Sequence, residues 1–326
     1  MTPIIKAEDL KKYFLIERPS LFNILSKKSL FVYAVDGVSF EIQKGETYGL
    51  VGESGCGKTT IGRLLLNLLE PTSGRIYFKG ENIQSFNKTK MKQFRRSAQI
   101  IFQDPFASLD PRMPVKKIIG EAIDIHKLSE GEEKLTAIKH LLERVGLNPA
   151  DQFMDRYPHE FSGGQKQRIG IARALSVNPE FIVADEPVSS LDMSVRAAVL
   201  NLMKDLQKDL ELTYLLISHD LAVVRHMSNR IGVLYMGKKI EEIHTRNLMN
   251  ANHPYTQALL SAFPRIDLNI KRKLVKIKGE IPSSINVPTG CRFHTRCPCK
   301  EKICVEQEPQ IKEISKDHFI ACHMFS

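Results

Sequence analysis

The stretch Gly52-Glu53-Ser54-Gly55-Cys56-Gly57-Lys58-Thr59 sets glycines, a lysine and a threonine at the spacing G-x-x-x-x-G-K-[ST]. Between a strand and a helix, such a loop lets backbone N–H groups curl around phosphate oxygens, and the helix start adds a favourable dipole. Lys58 is placed to reach β- and γ-phosphates and Thr59 to ligate Mg2+. Gly52, Ser54, Gly55, Cys56, Gly57, Lys58, Thr59 and Thr60 are the candidate nucleotide contacts of this loop. A second group is the apolar run Phe181-Ile182-Val183-Ala184 ending in Asp185 and Glu186. Asp185 can hold Mg2+ through water, and Glu186 can polarise an attacking water. A third is Phe161-Ser162-Gly163-Gly164-Gln165, a helix opening that offers a second anion-binding N-terminus. With one loop already cradling a triphosphate, this second start points to action in trans on another subunit's nucleotide; the plain reading is a helix N-cap.

The tail raises a separate chemistry. Within "GCRFHTRCPCKEKIC", residues 290–304, lie Cys291, Cys297, Cys299 and Cys304; Cys322 follows, and Cys56 is the one cysteine elsewhere. Disulfides, zinc and an iron–sulfur cluster all suit such a concentration. The N-terminal "MTPIIKAEDLKKYF" lacks the basic start and apolar core of a secretory signal, so a cytosolic setting is expected, where disulfides are rare. Four thiolates suit tetrahedral zinc, with His294, His318 and His323 as further candidate ligands, and spacing alone does not choose between zinc and iron. Lys and Arg around these thiols are expected to stabilise thiolates. Cys56 reads as filling a variable position of its loop.

The elements that must carry these groups alternate. "IIKAEDLKKYFLI" reads as an edge strand, 18–31 as an inserted loop broken by Pro19, and 33–42 as a period-two strand. After a turn at Lys44-Gly45 comes a short buried strand, Thr47–Val51, then a helix over Thr59–Leu69 stopped by Pro71 and Gly74. "GRIYFKGENI" reads as a strand pair, Val115 to about Leu147 as helical, and 164–176 and 195–210 as helices. "EFIVADEP" and "TYLLISHD" are apolar runs of the kind found in parallel strands buried on both faces, and "RIGVLYMGKKIEEI" is a hairpin. The alternation indicates an α/β fold with a mainly parallel sheet. The 326 residues suffice for one large domain or two smaller ones, and 42% hydrophobic with 26% charged is ordinary for a soluble globular chain. No apolar run of about 18 residues appears, so no span crosses a bilayer. The net charge of +10 favours polyanionic partners, nucleotide phosphates among them.

Taken in order, the phosphate loop, Gln103 after a strand, "FSGGQ", "IVADEP", "SSLD" and "SHD" resemble the ATPase cassette of ABC transporters, a P-loop NTPase fold with an antiparallel β-subdomain and a helical subdomain. The resemblance covers nearly all of 1–264, with the helical subdomain at about 104–176, and leaves 265–326 as a small Cys-rich extension. It implies that Gln103 touches Mg2+ and the lytic water and senses the membrane partner. Ser162, Gly163, Gly164 and Gln165 form the signature that caps the γ-phosphate on the opposite cassette; Asp192 lies between cassettes, and His219 contacts the γ-phosphate. An aromatic near the N-terminus should stack on adenine; Tyr13 is favoured, with Phe14 and Tyr33 as rivals. Phe161 replaces the usual leucine, a change the intact serine and glycines should tolerate. With Lys58, Glu186 and His219 present, competent ATP hydrolysis is expected.

The tail segments "NHPYTQALLSAFP" (252–264), "KGEIPSS" (278–284) and "GCRFHTRCP…C…HFIACH" (290–323) resemble the C-terminal extension of oligopeptide/dipeptide importer ATPases, a family that includes nickel and glutathione systems. Tyr157-Pro158-His159-Glu160 and "DPFASLDPR" also fit that family, and the loop at 18–31 resembles its F-type subunit. The resemblance implies a D-type ATPase as heterodimer partner, two membrane permease subunits, an extracytoplasmic binding protein and a place at the cytoplasmic face of the membrane. It also implies a [4Fe–4S] cluster on Cys291, Cys297, Cys304 and Cys322, spaced C-x5-C-x6-C-x17-C, with Cys299 left over and zinc as the alternative. A soluble ABC ATPase acting on nucleic acid is the reading from another class. Neither the second cassette nor the coiled coil usual in such proteins appears, so no nucleic-acid partner is expected.

Overall fold

The computed structural model describes residues 2–17, 30–104, 108–261, 277, 279–280 and 282–325. Most of the insertion read at 18–31, Pro105, and parts of 252–264 and 278–284 lie outside the described residues. In chain order the strands are β1 (Ile5–Glu17), β2 (Leu30–Ile42), β3 (Thr47–Val51), β4 (Ser73–Phe78), β5 (Glu81–Asn82), β6 (Ala98–Ile101), β7 (Phe181–Asp185), β8 (Thr213–Ile217), β9 (Arg230–Tyr235), β10 (Lys238–His244), β11 (Lys312–Ser315) and β12 (His318–Ile320). The elements group into two units. One comprises Met1–Ile4, Ile42–Thr47 and Ser85–Ser218, the other Ile5–Glu41, Tyr48–Gln84 and His219–Ser326.

In the first unit β6, β7 and β8 run parallel, with Ala98 opposite Phe181 and Phe181 opposite Thr213. Every residue of β7 and β8 is buried, which is why both read as unbroken apolar runs rather than as alternation. The helices Val115–His126, Gly131–Arg144 and Gly163–Leu175 pack on one another, and Ile118, Ile119, Ile123, Ile138, Leu142 and Ile169 are buried. The continuous helical pattern read from Val115 to Leu147 is two helices. Lys127 adopts a left-handed conformation, φ +53°, and closes the first. The same three-to-four apolar spacing occurs on both sides of the break, so the presence of that spacing alone does not show it.

In the second unit β2, β1, β4 and β5 form a sheet in that order, with β1 antiparallel to β4. The edge-strand expectation for β1 is therefore corrected. β1 lies between β2 and β4 and buries Ile5, Ala7 and Leu10, and the weak alternation reflects a register shift between Glu8 and Lys11 where Asp9 takes φ +44°. Tyr48–Val51 of β3 pairs parallel with β9, which turns back through Met236-Gly237 into β10. The helix after the phosphate loop is Lys58–Leu65, shorter than the span read from sequence, because Asn67 turns left-handed well before Pro71. The tail joins this unit by hydrogen bonding. β12 pairs with β10, Glu241 opposite Ile320, and β11 pairs with β12.

Candidate nucleotide site

The phosphate loop leaves the end of β3 and enters the helix at Lys58. Gly57 sits at φ +106°, and a Cβ there would stand 2.1 Å from the carbonyl oxygen of Ala34, so no other residue fits. Gly57, at the N-cap, makes no side-chain cap, and a helix start of this kind favours an anion. The Lys58 ammonium is buried and donates to the carbonyls of Gly52 (2.8 Å) and Glu53 (3.0 Å). The lysine is thus folded onto its own loop, within reach of whatever the loop holds. Ser54 is exposed, and Thr59 and Thr60 are half-buried on the helix start. Cys56 is buried, and burial pushes its thiol up against the opposing pull of Lys58, which fits a packing role.

Glu53 is held twice. Its N–H donates to the Tyr255 hydroxyl at 2.9 Å, and its carboxylate accepts two hydrogen bonds from Arg296, at 2.7 and 3.1 Å. Tyr13 donates through its hydroxyl to Asp36 at 2.5 Å and meets the edge of Tyr33 at 4.7 Å. Asp36 also accepts from Arg292. Phe14 is exposed, so Tyr13 and Tyr33 share one cluster and Phe14 stands outside it. His219 is exposed at the start of the segment that Asp220 caps, the Asp220 carboxylate accepting from Ala222 N–H at 2.8 Å.

The other group of candidates belongs to the first unit. Asp185 ends β7 and is buried. Glu186 follows in a left-handed conformation, φ +46°, and donates its N–H across to Ile217 O at the end of β8 at 2.9 Å. Gln103 Nε2 donates to Glu186 Oε2 at 3.1 Å, so residues 83 apart in sequence meet. Ser162 opens the helix Gly163–Leu175 with a reciprocal cap: its Oγ accepts from Gln165 N–H, and Gln165 Oε1 accepts from Ser162 N–H at 3.0 Å. Ser162 is exposed and Gly163 half-buried, whereas Gly164 is buried, where a Cβ would stand 2.3 Å from Val195 Cγ1. Asp192, exposed, precedes the helix Met193–Leu210.

In the tail, Cys291 N–H donates to Cys304 O at 2.8 Å, which ties the ends of the Cys-rich turn. Cys291, Cys297, Cys304 and Cys322 lie within electrostatic reach of one another, and Cys299, which is exposed, is also within reach of Cys297 and Cys322. Burial pushes the thiols up, Cys291 to about 11 and Cys297 and Cys322 in the same direction. The thiolate expectation is thereby corrected. Arg292 and Arg296 turn away to Asp36 and Glu53 and leave burial as the larger influence. His294, His318 and His323 each direct a ring nitrogen to an oxygen, of Cys291, Glu241 and Gln307 respectively. Among the described residues, no group of three or more His, Cys, Asp or Glu is placed to hold a single metal ion.

Sequence reading missed a cluster beneath the phosphate loop. Phe293 is buried against Tyr235, Tyr255 and His253, ring centroids 5.2, 5.4 and 5.7 Å away. The available signal was the order Cys-Arg-Phe-His-Thr-Arg-Cys at 291–297, which sets an aromatic and two arginines between thiols.

Two family models match: "ABC transporter" over residues 35–189 and "Oligopeptide/dipeptide transporter, C-terminal region" over 240–304. The oligopeptide transport ATP-binding protein AppF of Bacillus subtilis is 53% identical over 99% of this chain and 98% of its own length. The chain belongs to the ABC transporter ATPases of the oligopeptide/dipeptide branch. The dipeptide transport ATP-binding protein DppF of Haemophilus influenzae is 46% identical over 98% of this chain and 96% of its own. Among solved structures, the dimeric post-hydrolysis state of the ATP-binding cassette MJ0796 bound to ADP and Pi aligns with TM-score 0.64 and 26% identity, over 74% of this chain and 99% of its own. CbiO1 of Clostridium perfringens aligns with TM-score 0.64 and 26% identity, over 77% and 92%. The cassette is thus an ABC-type ATP hydrolase that works with ATP and Mg2+. Among the described residues no helix is long and apolar enough to cross a membrane.

Proposed function

We propose that this cassette is the ATP-hydrolysing subunit of a peptide importer, peripheral at the cytoplasmic face and paired with a D-type cassette on two permease subunits served by a binding protein. The single observation that carries the catalytic part is the Gln103–Glu186 hydrogen bond, which brings a water-orienting carboxamide onto the acid that follows the strand-end aspartate. In this reading Gly52–Thr60 cradle the phosphates and Lys58 moves its ammonium from the loop carbonyls to the β- and γ-oxygens. Thr59, Asp185 and Gln103 would hold Mg2+, which would supply charge neutralisation at the phosphates. Glu186 orients water and His219 contacts the γ-phosphate. Ser162, Gly163, Gly164 and Gln165 serve the nucleotide of the facing cassette beside Asp192, and Tyr13 stacks on adenine. Most of the rate enhancement would be charge stabilisation, with Glu186 supplying the proton acceptor.

Cys291, Cys297, Cys304 and Cys322 would hold a [4Fe–4S] cluster. The support is a group of five thiols at electrostatic range, of which Cys299 alone is exposed.

Purified with its membrane partners, the parent protein should release phosphate from ATP, and Glu186→Gln should lower turnover by about 100-fold or more while ATP binding persists in a closed dimer. Turnover at the parent rate in that variant would sink the assignment of Glu186. DNA-stimulated hydrolysis with no membrane partner recovered would instead favour the nucleic-acid reading. Anaerobically purified protein should contain iron and sulfide, retained in Cys299→Ser and lost in Cys297→Ser; stoichiometric zinc without iron overturns the cluster.

A further inference from the structure

The Cys-rich turn grips the phosphate loop through residues that are not themselves cysteines. Arg296, next to Cys297, forms a two-pronged ion pair with Glu53 inside the loop, at 2.7 and 3.1 Å. The Arg296 side chain is only 9% exposed, and its guanidinium lies 5.8 Å from the Tyr235 ring centre. An exposed pair of this kind contributes little, but a forked pair in a half-dry setting is among the stronger contacts a surface loop can make. The same turn reaches the Glu53 backbone by a second route. Phe293, fully buried, packs on Tyr255, whose hydroxyl accepts the Glu53 N–H. The Glu53 carbonyl in turn accepts from Lys58 Nζ at 3.0 Å. A continuous line of polar contacts therefore runs from Arg296 through Glu53 to the lysine that meets the phosphates.

A second arm braces the other side. Arg292, next to Cys291, donates to Asp36 and to the carbonyl of Met236. Gly237, the next residue, donates its N–H to Cys56 O in the phosphate loop at 2.9 Å. Asp36 is also the acceptor of the Tyr13 hydroxyl.

From this geometry we infer that Arg296 is a positioning residue for the phosphate loop, acting through Glu53, and that the 291–297 turn sets the loop's conformation before nucleotide arrives. The tail is thereby part of the nucleotide site's construction rather than an attachment to it. This role deepens the ATPase reading above and depends on the loop being the nucleotide site.

The test is amide hydrogen exchange on the nucleotide-free full chain, which reads the loop without requiring ATP to bind. Loss of ATP binding in the parent protein would therefore be a separate failure, of the functional reading itself. In Arg296→Ala, amides of residues 52–60 should exchange about tenfold faster, while those of the helices Val115–His126 and Gly131–Arg144 keep parent rates. Glu53→Gln should reproduce the loop effect, and the double variant should add nothing to either single one. Arg296→Lys, which keeps the charge and loses the fork, should fall between. ATP affinity should weaken in Arg296→Ala in step with the loop's exchange. Faster exchange confined to 291–304, with residues 52–60 at the parent rate, overturns the inference, as would additive effects in the double variant. Should Arg296→Ala fail to fold, Glu53→Gln decides alone: it leaves the tail's packing intact, and a parent-like loop in that variant overturns the role.

Discussion

His253 shows how one buried side chain ties stability to pH. It is 1% exposed, and its Nδ1 accepts the Tyr255 N–H at 3.1 Å, which requires that nitrogen to be unprotonated. Burial drives its pKa down to about 4, against a smaller upward pull from Glu241. The sign follows from linkage. The unfolded chain takes up a proton at this histidine near pH 6.5, while the folded chain resists until about 4. Stability from this group is therefore full above about pH 6.5 and is lost as pH falls towards 4, by about 3 kcal/mol in total. In His253→Asn the amide oxygen can take the Nδ1 role without titrating. Denaturant midpoints measured from pH 8 to pH 4.5 should fall less steeply in that variant than in the parent. Equal slopes would mean that His253 is not the group responsible.

At the scale of elements, the signature helix shows what a glycine and a cap each contribute. Ser162→Ala removes the acceptor for Gln165 N–H and should cost about 1 kcal/mol. Gly164→Ala is a packing problem instead, because the new methyl would meet Val195 Cγ1 at 2.3 Å on the helix Met193–Leu210. That overlap should cost about 1–3 kcal/mol and shift the helix start that Asp192 precedes. Adding Val195→Ala should restore most of the stability lost in Gly164→Ala, as read by thermal unfolding; no recovery would place the strain elsewhere. These elements were legible from sequence because their signals are local. Unbroken apolar runs marked β7 and β8, and serine before glycines marked the helix start. The misreadings have other causes. The break at Lys127 is marked only by the short run Ser129-Glu130-Gly131, which the apolar spacing on either side obscures, and the interior position of β1 depends on its neighbours β2 and β4. The Arg296–Glu53 pair joins residues 243 apart, so neither partner announces the other.

Across the whole molecule, the tail and the phosphate loop belong to one folding unit, so the tail's removal should not simply release an unencumbered ATPase. β12 supplies hydrogen bonds along β10, including Ala321 N–H to Ile240 O at 2.8 Å. His318 Nε2 lies 2.8 Å from the carboxylate of Glu241, which is fully buried and otherwise accepts only backbone N–H groups of Asn252 and His253 among its described hydrogen bonds. A chain ending at residue 289 strips that partner from a buried acid and takes Phe293 out of the Tyr235–Tyr255–His253 cluster. Loss of a buried Phe alone costs about 3–5 kcal/mol, and uncovering one partner of a buried charge costs a similar amount. A domain is stable by only about 5–15 kcal/mol, so the two losses together approach its whole margin. The truncated chain is therefore expected in the insoluble fraction on expression, or, where soluble, with a strongly lowered melting temperature and no measurable ATP affinity. A soluble truncation that melts with the parent and binds ATP as tightly would make the Cys-rich segment an appendage and remove the structural basis for coupling it to the nucleotide site.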